Sequence, residues 1–195
     1  MVDPTPVPFP QSEGNSSVYS RPTQENEIEF AENFGRIQGR FLYCSNTEEM
    51  IGQLQQLVSQ QGWTQVFCRE NGLLPIIEEP LKGLLILDDL PQADVSITGC
   101  EALIARTGSI MMSSAQDSGR TVSVYAPVHI CIAYTNQLVY DIREGLESLL
   151  EKYKNQIPSF ITLATGPSRT ADIEKTLVVG VHGPKDVYVF LVEAQ

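Results

Sequence analysis

Residues 165–174 form a segment of hydroxyl, glycine and arginine side chains with the composition of a site for small anions. The segment follows an apolar run at 160–164 that predicts a strand, and it is predicted to continue as a short helix over 166–175. Such a junction lies at the carboxyl edge of a parallel sheet, where open α/β folds bind ligands. Backbone amides at a helix start and a guanidinium both bind phosphate or carboxylate. The candidate ligand-binding residues are Gly166, Ser168, Arg169 and Thr170.

A structural interpretation of the same segment stays open. Ser168 or Thr170 could simply cap the helix, because a hydroxyl followed by acidic residues is an ordinary helix start. Asp172 and Glu174 would also repel a polyanion. The residues alone therefore leave ligand binding and helix capping as two alternatives.

The two histidines of the sequence are candidates for proton transfer, because imidazole titrates near neutral pH. His182 lies beside Gly183 in a glycine-rich turn at 180–184, where it would act as a proton donor or an anion contact. His129 stands at the start of an apolar strand. The alternatives are a turn histidine held by local backbone groups for His182 and a hydrogen-bonded core histidine for His129.

A third turn, Thr107-Gly108-Ser109, precedes a predicted strand at 110–112. The Thr107 and Ser109 hydroxyls can donate to a bound anion without adding charge, whereas Gly108 could serve the turn alone. We expect this turn to converge with those of Gly166 and Gly183 in one pocket, with the guanidinium of the 165–174 segment as its main positive charge.

Several familiar signatures are missing. The sequence contains no G-x-G-x-x-G, G-x-x-x-x-G-K-[ST], H-E-x-x-H or G-x-S-x-G, so dinucleotide, P-loop, zinc-protease and α/β-hydrolase functions lose their usual motifs. The four cysteines are at least 24 positions apart and form no C-x-x-C pair. They are predicted to be reduced core thiols, and neither a metal site nor a cofactor is predicted.

Hydrophobic periodicity supplies the elements that must position these residues. Helices are predicted over 23–38, from 46 to a stop at Gly62, and over 141–155. Strands are predicted at 41–44, 65–68, 83–87, 93–98, 110–112, 121–125, 130–134, 160–164, 177–181 and 187–192. The three strands between 110 and 134 are predicted to form a hairpin or meander set into the sheet. This order predicts an α/β fold with a Rossmann-like mixed sheet and helices on both faces.

Composition and charge narrow the partners. Of 195 residues, 42% are apolar, and 24 acidic against 13 basic residues give a net charge of −11. This charge argues against nucleic acid and anionic membranes as partners. No apolar run is long enough for membrane insertion, which predicts a cytoplasmic protein. Residues 1–22 are proline-rich and predicted to be a flexible leader, and 23–195 a single α/β domain.

The motifs described above together resemble the lactate-utilization protein C family, defined by the LUD domain. They are the segments 165–174 and 180–184 and, upstream and in the same order, 105–109, 120–127 and 127–130. The resemblance covers roughly residues 93–193. One position departs from the family pattern: Arg106 stands where an acidic residue is common, which makes the neighbourhood more cationic.

The resemblance implies a fold similar to the sugar-phosphate isomerase and coenzyme A transferase-like superfamily. It also implies membership of a three-protein system that oxidises L-lactate to pyruvate, with its redox centres in iron–sulfur partner proteins. The chain would then be a non-redox subunit or accessory protein that binds a small anionic ligand. Two alternatives stay open: a free-standing enzyme for a phosphorylated or acyl-activated metabolite, with His129 or His182 as acid/base, and a non-catalytic interaction module.

Overall fold

The structure is a computed structural model that describes residues 22, 24–154, 156–173 and 176–194. Its helices are α1 (Asn26–Arg36), α2 (Thr47–Gln61), α3 (Leu74–Ile77), α4 (Val122–Tyr125) and α5 (Ile142–Tyr153). Its strands are β1 (Arg40–Cys44), β2 (Val66–Cys68), β3 (Leu85–Ile86), β4 (Val95–Thr98), β5 (Ala102–Ile104), β6 (Ser109–Ser113), β7 (Val128–Tyr134), β8 (Leu138–Val139), β9 (Ile161–Ala164), β10 (Arg169–Ile173), β11 (Thr176–Val179) and β12 (Asp186–Val192).

Six of these strands form a main sheet in the order β1-β12-β7-β4-β2-β3, and every neighbouring pair is parallel. Its central strands are buried on both faces, which explains why their sequences read as continuous apolar runs. In β12, Tyr188 and Phe190 pack on one face while Val187 and Val189 pack on the other, as the two-residue period of a strand requires.

Helices α2 and α3 cover one face of the main sheet. The amphipathic helix α2 begins where the Asn46 side chain accepts a hydrogen bond from the Glu49 amide, at 2.8 Å. It ends at Gly62, whose φ of 68° is the left-handed conformation of a common helix stop. Met50, Leu54 and Val58 point from α2 into the core at helical spacing.

The other face is covered by α1, α4 and a second sheet. This sheet has the order β8-β5-β6-β9 and mixes parallel and antiparallel pairs. Phe30 and Phe34 of α1 stack at 5.3 Å between their ring centroids and pack against both sheets. Helix α5 covers the outer face of the second sheet through Leu149. The chain therefore forms four layers: α2 and α3, the main sheet, α1 and α4 together with the second sheet, and α5.

The predicted α/β fold with helices on both faces of a sheet is confirmed, and three local predictions are wrong. No hairpin or meander is inserted in the main sheet: the strand predicted at 110–112 is β6 of the second sheet, whereas the one predicted at 130–134 is β7, a parallel strand of the main sheet. The second sheet also contains the unpredicted β5 and β8. The strand predicted at 121–125 is instead the short helix α4. Val122 is its one buried residue, and a single helical turn is enough to place that side chain in the core. The helix predicted over 166–175 is replaced by β10, which pairs antiparallel with β11. Pairing with the run 176–179, in which three of the four residues are β-branched, overrides the local helix-start pattern.

Two further predictions concern the ends of the domain. The leader predicted for residues 1–22 lies outside the described residues, except for residue 22. The single domain predicted over 23–195 stays a prediction. Among the residues that the structure describes, no helix combines the length and apolarity needed to cross a membrane.

Candidate functional site

The main sheet has a topological switch point between β2 and β4. From β2 the chain moves outward to β3, whereas from β4 it moves the other way to β7 and β12. The connections that follow β2 and β4 therefore diverge and leave a crevice at the carboxyl ends of the strands. Ligands of open α/β folds bind in this crevice.

A cleft of about 520 Å³ occupies this position, a volume typical of small-molecule sites. It is bounded by the connections after β2, β4 and β6, by the end of β7 and by the end of α5. The polar residues that line it are Glu70, Gln116, Asp117, Tyr134, Asn136, Gln137, Lys152 and Tyr153, beside Gly72, Gly99 and Cys100.

One wall of the cleft carries a lysine held by a buried carboxylate. Lys152 Nζ lies 2.8 Å from Glu101 Oε2, and the Tyr153 hydroxyl donates to Glu101 Oε1 at 2.8 Å. Ser113 donates to the same carboxylate at 2.6 Å. The Glu101 side chain is only 2% exposed, while that of Lys152 is 59% exposed. Lys152 is thus anchored by Glu101 while more than half of its side chain stays exposed in the wall of the cleft.

These contacts shift the ionisation of the two partners in opposite directions. Burial raises the pKa of Glu101, but hydrogen bonds from Lys152, Ser113 and Tyr153 outweigh it and leave the pKa below its ordinary value. For Lys152, burial lowers the pKa, and Glu101 more than compensates and raises it. At neutral pH the pair is therefore fully ionised.

The opposite wall of the cleft is acidic. Glu70 is 9% exposed and accepts a hydrogen bond from the Ser118 hydroxyl. Asp117 accepts a hydrogen bond from the Asn71 amide at 2.9 Å. These bonds tie the loop after β6 to the loop after β2 across the mouth of the cleft. The site consequently offers hydrogen-bond acceptors on one side and an ammonium donor on the other.

His129 lies in β7 beneath the second-sheet layer, 1% exposed, and does not line this cleft. Its Nε2 is 2.8 Å from the Thr98 hydroxyl, and that hydroxyl donates its proton to the Gly99 carbonyl at 2.8 Å. Thr98 can therefore only accept from His129, which places the imidazole proton on Nε2. Burial lowers the pKa of His129 from 6.5 to about 4, so the ring is neutral.

The three glycine turns singled out in the sequence lie together at the amino edge of the main sheet. The Ser109 hydroxyl is 2.8 Å from the hydroxyls of both Thr107 and Thr165. A Cβ on Gly183 would approach the Ser168 Cβ to 2.9 Å. The turn at 183–185 leads directly into β12, so this cluster lies at the end of the sheet opposite the cleft.

This amino-edge cluster encloses the end of α1. At Gly108, with φ 61°, a Cβ would lie 2.6 Å from the Phe34 nitrogen, and at Gly166, with φ 76°, it would lie 2.7 Å from the Ile37 carbonyl oxygen. Arg169 donates to the same Ile37 carbonyl at 2.9 Å. Both glycines thus permit a backbone approach that any side chain would block.

The remaining candidates from the sequence are distributed as follows. Thr170 pairs with Val178 in the β10–β11 hairpin, so it caps no helix. His182 is exposed in the turn before β12 and, like His129, is not a lining residue of the cleft. Arg106 forms an ion pair with Asp141 at 2.6 Å. Whether this cluster binds a ligand stays a prediction.

The cleft residues themselves were not singled out in the sequence. A signal was available, because Glu70, Gly99 and Asn136 follow strands whose ends were predicted at 68, 98 and 134. What was lacking is the strand order, which decides that the ends of β2 and β4 border one crevice. No group of three or more histidine, cysteine or acidic residues suited to a metal occurs among the described residues.

Comparisons with known proteins place this architecture in a family. Residues 74–192 match the model of the LUD domain. The lactate utilization protein C of Deinococcus radiodurans is 37% identical over 105 residues, which are 53% of this chain and 49% of that protein. The lactate utilization protein C of Bacillus subtilis is 38% identical over 113 residues, 56% of this chain and 47% of that protein. The aligned part spans about half the length of these relatives.

A solved structure agrees on the fold. The crystal structure of a DUF162 family protein from Deinococcus radiodurans superposes with a TM-score of 0.62 at 23% identity and covers 86% of this chain and 96% of that chain. The shared fold supports the layered α/β arrangement described above. Because the family model matches more than half of the sequence, the chain belongs to the LUD domain family.

Proposed function

We propose that this protein is a cytoplasmic, non-redox component of a lactate utilization system and that it binds a small hydroxycarboxylate in the cleft at the switch point. Membership of the LUD domain family and the similarity to two proteins named lactate utilization protein C support the lactate role. The resemblance to the lactate-utilization protein C family implies a three-protein system, and this supports iron–sulfur proteins as the partners that accept the electrons.

The two-sided polarity of the cleft is the observation that carries the ligand assignment. A hydroxycarboxylate has an anionic group that accepts hydrogen bonds and a hydroxyl that donates one. Lys152 matches the carboxylate, and the carboxylates of Glu70 and Asp117 match the hydroxyl. Inorganic phosphate carries more negative charge than a hydroxy monocarboxylate near neutral pH, so Glu70 and Asp117 repel phosphate more strongly and the site favours the hydroxy acid.

Glu101 is what makes Lys152 suitable for this role. A surface lysine loses side-chain freedom when it binds an anion, which lowers the net free energy of binding. Here Glu101 already holds the ammonium group at 2.8 Å, so part of that entropy has been lost on folding. The remaining ammonium protons are available to a ligand carboxylate.

Titration calorimetry with L-lactate tests the assignment. Lys152→Met keeps the apolar stem and removes the charge, and we expect it to weaken binding about tenfold or more, the effect of losing a charged hydrogen bond worth about 1.5–3 kcal/mol. Lys154→Met is the matched control, because Lys154 lies just beyond the end of α5 and pairs only with the exposed Glu151 among the described residues. Equal affinity of the Lys152 variant and the wild type would refute the site.

The amino-edge cluster is the second candidate for anion binding. Arg169 is exposed, directly follows Ser168 and donates to the Ile37 carbonyl through one nitrogen of a guanidinium that has five N–H groups. Arg169→Gln separates the two candidates in the same calorimetric titration. Loss of lactate binding in this variant, with binding retained in Lys152→Met, would move the proposed site to the amino edge.

The partner proposal needs its own measurement. Copurification with iron–sulfur proteins from the source cells, followed by lactate-dependent reduction of their clusters, is the expected outcome. Turnover of a phosphorylated or acyl-activated metabolite by the isolated chain would instead favour the free-standing enzyme. An isolated chain that copurifies but binds no anion would favour the interaction module.

A further inference from the structure

Two of the four cysteines meet beside the cleft. Cys131 lies in β7 opposite Thr98 of β4, and Cys100 follows Thr98 by two residues along the chain. Both thiols pack in the same apolar cluster, between the main sheet and the second sheet. The thiol of Cys100 contacts that of Cys131, and this contact together with burial holds the pKa of Cys131 well above its ordinary value.

The two thiols differ in access. Cys131 is fully buried, whereas Cys100 is 5% exposed and is one of the residues that line the cleft. The Cys100 carbonyl accepts a hydrogen bond from Gln137 Nε2 at 2.7 Å, which fixes the backbone at this point. A small reagent that enters the cleft therefore reaches Cys100 first and finds Cys131 directly behind it.

The other two cysteines have a different environment. Cys44 and Cys68 pack in the cluster on the opposite face of the main sheet. The Cys44 thiol contacts the Gln53 side chain at 3.7 Å, and burial raises the pKa of each of these thiols to about 11. Neither Cys44 nor Cys68 is among the residues that line the cleft. They serve as internal controls in the same molecule.

We propose that Cys100 and Cys131 are a redox-sensitive pair that forms a disulfide when a peroxide enters the cleft. Cys100 loses its thiol proton and attacks one peroxide oxygen, the O–O bond breaks, and a sulfenic acid forms. The released hydroxide takes up the lost proton and becomes the first water. The Cys131 thiol then attacks the Cys100 sulfur and displaces water as the disulfide forms. Two thiols and one hydrogen peroxide thus yield one disulfide and two waters, and a thiol reductant reverses the change.

The pairing has a consequence for the cleft that does not depend on which ligand it holds. The disulfide draws the Cys100 side chain towards β7 and away from the lining, so the wall that it shares with Gly99 and Gln137 changes shape. The sulfenic acid is short-lived because the resolving thiol is in contact. The cysteine pair is therefore protected from irreversible oxidation to the sulfinic acid.

Peptide mapping of the full-length protein after treatment with hydrogen peroxide tests the proposal. Trypsin places Cys100 in residues 83–106 and Cys131 in residues 121–143, so the disulfide appears as a cross-linked pair of peptides. We expect two of the four thiols to become resistant to alkylation and to be recovered with dithiothreitol. Cys44→Ser should form the same cross-link.

Cys131→Ser provides the complementary result. Without the resolving thiol, Cys100 should accumulate as a sulfenic acid that dimedone traps, in a protein whose circular dichroism matches the wild type. The wild-type mapping stands even if this variant fails to fold. Four alkylatable thiols after peroxide treatment, a cross-link between two chains, or sulfinic acid at Cys100 with Cys131 still alkylatable would each overturn the proposal.

Discussion

Replacing His129 by glutamine should remove the part of the acid-induced loss of stability between pH 6.5 and pH 4 that comes from this imidazole. Burial lowers the pKa of this imidazole from 6.5 to about 4. Above pH 6.5 the ring is neutral in the folded and the unfolded chain, and it makes no pH-dependent contribution. As the pH falls below 6.5, the unfolded chain binds a proton that the folded chain cannot yet accept, so the unfolded state gains stability.

The size of the effect follows from the difference between the two pKa values. Each pH unit of difference corresponds to about 1.4 kcal/mol, so the free energy of unfolding should drop by about 2 kcal/mol at pH 5 and about 3 kcal/mol at pH 4. Below pH 4 the folded ring is protonated as well, and the loss stops growing. The His129→Gln side chain would keep an amide donor for the Thr98 hydroxyl but has no titrating group.

Urea unfolding followed by the fluorescence of Trp63, at several pH values between 7.5 and 4, measures this difference. Carboxylates of the folded protein titrate in both proteins, so the subtraction of one curve from the other isolates His129. We expect the difference between the two curves to change by about 2 kcal/mol between pH 7 and pH 5. Parallel curves would show that the ring reaches solvent or a counter-charge, and the reasoning from burial would then be wrong.

Two other predictions concern the packing, with a control substitution, and the electrostatics. Gly108→Ala should lower the free energy of unfolding by several kcal/mol, because the new Cβ would clash with the Phe34 backbone. Gly62→Ala is the control: Gly62 has a similar φ but open space around it, so the loss should be about 1 kcal/mol. Equal losses of the two variants in urea unfolding would contradict the close approach at Gly108. Glu101→Gln should cost about 1.5–3 kcal/mol near pH 7 by removing the charge that pairs with Lys152. Because the folded pKa of Glu101 is below 4.5, its contribution is present above that pH and is lost as the pH falls through the folded value, so the variant and the wild type should converge in acid.

Local sequence signals were enough to predict elements whose ends are marked by a capping residue or whose residues form one buried apolar run. The cap at Asn46 and the left-handed Gly62 fix the bounds of α2, and the buried apolar runs give the central strands. The same signals fail in 166–175, where the pattern of a helix start is real but a neighbouring strand offers better pairing. Local preference decides only where tertiary contacts do not compete.

The site could be predicted only in part, for a reason that concerns topology. The three glycine turns do lie near one another, but the strand before Gly166 belongs to the antiparallel part of the second sheet. The rule that puts ligands at carboxyl ends therefore does not apply to it, and the turns fall at the amino edge. Lys152 could not be assigned to a site either, because a lysine near the end of a helix is commonplace until the helix is known to border a cleft.

The central place of β12 has a consequence for biosynthesis. This strand, residues 186–192, lies between β1 and β7, so β1 has no strand of the main sheet to pair with until nearly all of the described chain has left the ribosome. Until then β7 and β1 both expose a row of unpaired backbone groups, which is a hazard for association between nascent chains. The closing step joins segments separated by about three quarters of the sequence, so it should be slow, and chaperones that shield strand edges should raise the yield of folded protein.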